Sequence, residues 1–344
     1  MKKYNSRLLL VFFIVIISLS SCNNDPLDID ISDIDLTIEL IRLDEAVFEK
    51  NWKENSEANL ELADQYGDYY DFYIHFILNN PQNQNNEQMQ LSMLRFAMDP
   101  TMRLFYEAES ELFGEERFHP YLIELEEAFK RFNYYFPNED IPSIILYQSG
   151  FNYKIVPNDT LLGIGLEWYI GSDNKLIRKL SNQAFPEFEK RKMQSEYLVV
   201  DAVKGFLKVK YQGYEQMDNL LSVMVFYGKI LYLTDALLPN KKDALKMNYS
   251  NAEWEWLQKN EKEIWTYLAE NNLLFSNNLR LITQWVNDGP FTTGLPQEST
   301  SRAGIYMGWQ LVKQYMEKHP DTSMEALIKM KDYNKFLSAY KPKK

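Results

Sequence analysis

The side chains of this sequence that could do chemistry without a cofactor are carboxylates. Glu167, Asp201 and Asp235 each sit inside an otherwise apolar segment, and a pair of such groups can act as acid and base on a peptide or glycan without any histidine. A lone carboxylate among apolar neighbours also suits a hydrogen-bonded cap or an ion pair with a nearby Lys or Arg, and that is the reading we prefer. The three histidines, His75, His119 and His319, fall in different regions, none with another histidine within helical reach. They read as surface or packing residues. No HExxH, CxxC, Walker-type glycine loop or GxSxG is present, so no metal or cofactor is expected. Aromatic residues make up 15% of the chain, Trp254, Trp256 and Trp265 among them. Such a surplus can build a carbohydrate platform or a protein interface, but at helical spacing it reads first as core.

The one cysteine, Cys22, has a different use. Lys2, Lys3 and Arg7 precede an unbroken apolar run from Leu8 to Ile17, a basic segment followed by the hydrophobic stretch of a signal peptide. Ten helical residues at about 1.5 Å each reach only about 15 Å, roughly half of a hydrocarbon core. A permanent span is therefore disfavoured. Next comes Leu19-Ser20-Ser21-Cys22, which resembles the lipobox cut by lipoprotein signal peptidase: small residues fit the cleavage site and the thiol accepts lipid. A lone thiol cannot form an internal disulfide, and lipidation would consume it. More than one acyl chain, at about 0.8 kcal/mol per buried carbon, is enough for stable anchoring. Residues 1–21 are thus expected to be removed and Cys22 to hold the mature protein on a membrane.

Losing Lys2, Lys3 and Arg7 moves the formal net charge from −12 to −15. Nucleic acid and anionic lipid head groups should repel such a chain. Residues 22–37, acidic and without aromatics, look like a tether, and 38–344 like a single globular domain, since no Pro-, Gly- or Ser-rich linker divides them.

Helical periodicity covers Leu40 to Trp52, Leu60 to Leu78, Phe118 to Phe136, Tyr197 to Val209, Met217 to Leu237, Glu253 to Asn271 and Ile305 to Glu317, with a last helix from near Met324. Between Asn79 and Glu87 the polar run with Pro81 predicts an exposed loop. Ile144 to Val156 and Leu161 to Ile170, rich in β-branched and aromatic residues, flank Pro157-Asn158-Asp159 and predict a β-hairpin. The apolar stretch Leu220 to Leu233, interrupted by Lys229, reads as a buried helix. The fold class is α+β, mostly α-helical with one small β-sheet.

Several stretches together carry a family resemblance: Ser149 to Tyr153 (SGFNY), Gly163 to Gly171 (GIGLEWYIG), Tyr227 to Tyr232 (YGKILY), Trp254 to Trp265, Ser301 to Gly304 (SRAG) and Gly308-Trp309-Gln310. With the lipobox, they resemble the gliding-motility lipoprotein family GldB over nearly the whole mature chain. That resemblance implies a cell-envelope lipoprotein of Bacteroidetes, on the periplasmic side or the cell surface, with gliding-motility or type IX secretion proteins as partners and no established enzymatic activity.

A more distant resemblance is to zincin metallopeptidases. Where such an enzyme carries HExxH this chain reads Val200-Asp201-Ala202-Val203-Lys204, and Tyr227 precedes Gly228 where a zinc-binding glutamate would stand. The three protein ligands of a catalytic zinc are missing. A degenerate zincin-like scaffold would leave a candidate vestigial cleft lined by Glu167, Asp201, Tyr227, Gly228 and Arg302. The resemblance to GldB implies a non-enzymatic component of the motility apparatus. An envelope hydrolase using its carboxylates is the alternative, and a carbohydrate-binding lipoprotein with exposed tryptophans is a third reading.

Overall fold

The computed structural model describes residues 27–158, 160–216 and 218–342. Cys22 and the expected signal peptide lie outside the described residues. The protein is α+β and mostly helical, with one small mixed sheet.

The sheet has four strands, β1 (Leu40–Arg42), β2 (Ser143–Tyr147), β3 (Ile155–Pro157) and β4 (Leu161–Gly165), in the order β1-β2-β4-β3. β1 and β4 both run parallel to β2, and β3 closes one edge antiparallel to β4. A strand with both faces covered must be apolar on both. In β2, Ile144 and Leu146 face a large apolar cluster, while Ile145 and Tyr147 face a smaller one. Each such aliphatic side chain contributes about 1.5–3 kcal/mol by leaving water. In β4 the face towards Tyr147 carries glycine instead. A Cβ on Gly163 would stand 2.8 Å from the Tyr147 ring, so the ring takes the room a side chain would need.

On one side of the sheet lie the short helices of residues 43–97; on the other lies the main helical layer. Five helices build the layer behind the sheet or frame its polar side chains: α1 (Pro100–Phe113), α2 (Glu115–Tyr135), α3 (Leu198–Lys210), α4 (Leu220–Leu237) and α5 (Ala303–Lys318). Asn219 and Ser222 cap α4 reciprocally, satisfying two of its orphan amides. By length and composition α4 could cross a membrane, yet every residue of it but Tyr227 is buried inside the protein. Lys229 within it donates to the carbonyls of Met330 and Ile328. α4 and α5 cross where Gly228 faces Gly308, backbone against backbone.

The structure corrects several expectations. Leu40 to Arg42, expected to open a helix, is a strand; its partner, β2, is a hundred residues away in sequence and invisible to local periodicity. Ile144 to Val156 is two strands separated by a loop, because Gly150 and Phe151 both adopt a left-handed φ of 66°. Only β3 and β4 form the hairpin. The helix expected over Leu60 to Leu78 breaks at Gly67 (φ 51°) and ends in a π-helical turn, Tyr73–Ile77. The helix expected over Glu253 to Asn271 is two helices meeting at Asn260. Of the expected tether, Leu27 is buried and Leu36 packs against the core, and the Leu27 carbonyl accepts from Arg131.

Candidate functional site

α3 is amphipathic. Leu198, Val199, Val200, Ala202, Val203, Phe206 and Leu207 are buried, while Asp201, Lys204 and Lys208, spaced three and four residues apart, form a polar stripe on the opposite face. Gly205 lets α3 lie directly on the sheet edge, since a Cβ there would stand 2.6 Å from the Ile155 side chain. The stripe therefore forms one wall of a cleft of about 520 Å³ beside β3. Tyr153, Trp168 and Tyr227 add aromatic surface, and Lys192, Asn248, Asp288 and Arg302 complete it.

Two ion clusters organise the floor. Asp201 pairs with Lys154 at 2.5 Å and Lys204 at 3.5 Å, and accepts from Asn248 (2.8 Å) and the Tyr169 hydroxyl (3.3 Å). Burial disfavours its charge, but Lys154 and Lys204 more than compensate and hold its carboxyl down at about 2. Asp288 pairs with Lys192 and, at 2.9 Å, with Arg302. There too burial is outweighed, by Arg302 and then Lys192, and the carboxyl lies at about 2. The lysines bear the opposite effect. Burial, reinforced by the neighbouring Arg302, pulls Lys192 down to about 8; burial, with Arg302 and Lys154 beside it, pulls Lys204 to about 8 despite Asp201.

Arg302 joins the clusters to the fold. Its backbone is left-handed, φ 58°, a conformation that costs a non-glycine residue about 1–2 kcal/mol. The guanidinium lies 4.9 Å from the Tyr249 ring centre and donates to the Met247 carbonyl. The Tyr249 hydroxyl donates to the Ser301 carbonyl at 2.5 Å. These contacts hold the strained turn at the start of α5.

Of the residues singled out in the sequence, the cleft brings together Asp201, Tyr227 and Arg302. Glu167 lies under the 149–153 loop. One of its oxygens accepts from the Ser149 and Phe151 amides at 2.8 and 3.0 Å and from the Ser149 hydroxyl at 2.5 Å. It pins the left-handed turn at Gly150 and Phe151; burial nonetheless raises its carboxyl. Gly228 sits at the α4–α5 crossing. Asp235 belongs to a second cluster, pairing with Lys246 and accepting from the Trp309 indole. Trp254 packs against Tyr306 and Trp309, and Trp265 against Tyr340. Neither is one of the exposed large apolar side chains. His75 and His319 bond to the carbonyls of Asn80 and Tyr315. Among the described residues, no group of three or more His, Cys, Asp or Glu is placed to hold a metal ion.

Sequence reasoning missed Lys154, Lys192, Lys204, Lys208, Asn248 and Asp288. The polar stripe on α3 was a usable signal for Lys204 and Lys208. The others stand on separate loops and a short turn, where nothing local announces a shared site.

In sum of charge, Lys154, Lys192, Lys204, Lys208 and Arg302 face Asp201 and Asp288 alone, since the amine of Lys246 is held by Asp235. The cleft is positive in a negative protein, and its field draws anions. A family model described as gliding motility protein GldB matches residues 24–342. Among curated proteins and among solved structures, no match to the chain is found. The zincin likeness has no counterpart in these comparisons.

Proposed function

The chain belongs to the GldB family of gliding-motility proteins, and on that premise we propose that it is a non-enzymatic component of the gliding-motility apparatus, anchored by lipid on Cys22 to a cell-envelope membrane. Its partners on this reading are envelope proteins of the motility and type IX secretion system, met on the periplasmic side or at the cell surface. The family match, spanning nearly the whole mature chain, carries the reading.

The cleft supports binding over turnover. Asp201 and Asp288 are the carboxylates that share it, and a carboxyl held at about 2 is ionised at neutral pH and has no proton to give as a general acid. Glu167, whose raised carboxyl would suit an acid better, is fully buried and committed to the 149–153 loop. A carboxylate hydrolase is accordingly the weaker reading.

Deleting the gene and scoring colony spreading and single-cell movement tests the proposal. Gliding should be lost, restored by the wild-type gene and not restored by Cys22→Ala. A deletion strain that glides normally would remove the protein from the apparatus.

A further inference from the structure

The formal charge of the whole chain is −12, yet the cleft beside β3 places five cations against two carboxylates. Gathering like charges is unfavourable unless something offsets them. Asp201 and Asp288 offset only part. Lys208 is exposed on the rim, 5.1 Å from the Tyr227 ring, with no carboxylate partner among the described residues. Trp168 contributes a buried indole N–H that has no acceptor among the described residues. Arg302 stands at a left-handed backbone position, φ 58°.

We propose that this cleft is a binding site for a sugar phosphate, with the phosphate among Lys154, Lys192, Lys204 and Lys208 and the sugar against Tyr153, Trp168 and Tyr227. The inference rests on reading the cleft as a binding rather than a catalytic site. A cleft of about 520 Å³ is in the range of small-molecule pockets, about 300–1,000 Å³. A planar carboxylate is best held by the fork of a free guanidinium. Here Arg302 is taken up by Asp288, the Met247 carbonyl and the Tyr249 ring; Lys154, Lys192 and Lys204 also meet one carboxylate each, but an ammonium has three donors, and Lys208 has no carboxylate partner among the described residues. Lysine ammoniums approaching from the β3 loop, from α3 and from the 190s turn act as point charges and suit a tetrahedral group. A phosphate monoester carries about −1.5 to −2 at neutral pH and would offset half or more of the cleft's surplus, five cations less two carboxylates. Burial, with Arg302 nearby, lowers Lys192 and Lys204 to about 8 even with Asp288 and Asp201 beside them, so further negative charge in the cleft would favour their charged forms.

The test is calorimetric titration of the purified full chain with glucose 1-phosphate, inorganic phosphate and glucose, following phosphate release in the same samples. Glucose 1-phosphate should bind at one equivalent and more tightly than inorganic phosphate, and glucose should not bind. Lys208→Ala, an exposed change that leaves the fold alone, and Lys204→Met, with its fold checked by circular dichroism, should each weaken binding by about tenfold. Lys329→Ala, an exposed lysine paired with Glu325, should change nothing. No binding of either phosphate, or binding indifferent to Lys208→Ala and Lys204→Met, would overturn the site. Equal affinity for inorganic phosphate would overturn the sugar, and glucose bound as well as its phosphate would overturn the anion. Phosphate released during the titration would leave the binding site standing and sink the non-enzymatic reading instead.

Discussion

Glu109, on α1, is 1% exposed and has no hydrogen bond to either carboxylate oxygen among the described residues. Burial, with the charges of Glu167 and Asp44 nearby and only Arg42 opposing, raises its carboxyl well above the usual range. A carboxyl raised by folding contributes stability that is full below the unfolded value, near 4.5, and is lost as pH climbs through the folded value. Glu109→Gln removes that loss. In urea titrations it should match the wild type near pH 5 and exceed it by about 1–3 kcal/mol near pH 8; parallel pH profiles would contradict the assignment. Asp201 has the opposite sign. Its carboxyl is depressed from 3.8 to about 2, so its contribution is present above the unfolded value and fades as pH falls from about 4 towards 2. Asp201→Asn is expected to cost about 2 kcal/mol at neutral pH, with the difference shrinking across that acid window. A constant difference down to pH 2 would show that the loss is one of packing rather than charge. In sequence Glu109 stands in the polar run Glu107-Ala108-Glu109-Ser110-Glu111, and Asp201 between Val200 and Ala202, so local polarity would have suggested the wrong one to be uncharged. The lysines beside Asp201, Lys204 one turn along the same helix and Lys154 from a distant loop, separate their behaviour.

The crossing of α4 and α5 carries the core of the main layer. A Cβ on Gly308 would meet the Met224 carbonyl, and one on Gly228 the Gly308 carbonyl. Alanine is better in an isolated helix by about 1 kcal/mol, but overpacking against rigid backbone costs about 1–3 kcal/mol or more, and here the second effect should win. Gly308→Ala should therefore lower the thermal midpoint, and Gly213→Ala, with open space around it, should not. A Gly308→Ala protein as stable as wild type would mean that the helices separate at little cost. At this scale much was legible in advance. Amphipathic spacing located α2, α3, α4 and α5, and Pro157 with its neighbours located the β3–β4 turn. Where the reading failed, a long-range partner or a single backbone angle decided: β1 exists because β2 offers it an edge, and the run after Tyr147 leaves the sheet because Gly150 and Phe151 turn left-handed over Glu167.

At the scale of the whole molecule, the proposed lipid anchor places attachment and folding on different residues. Cys22→Ala should leave the thermal midpoint unchanged and move the protein from the membrane to the soluble fraction of a cell extract; retention on the membrane would refute lipidation at this cysteine. The described chain packs from Leu27 onward. The sequence alone determined the acidic charge, the mostly helical class and the family resemblance, because each is written in neighbouring residues or in a periodicity a helix imposes locally. What only the tertiary structure decided was which polar side chains meet. Lys154 follows a loop, Asp201 and Lys204 stand on α3, Asp288 and Arg302 flank a turn before α5, and no spacing links them. They come together because α3 rests on the edge of the sheet at Gly205 and α5 locks against α4 at Gly308, so backbone contacts far apart in sequence turn a negatively charged chain into one with a positive cleft.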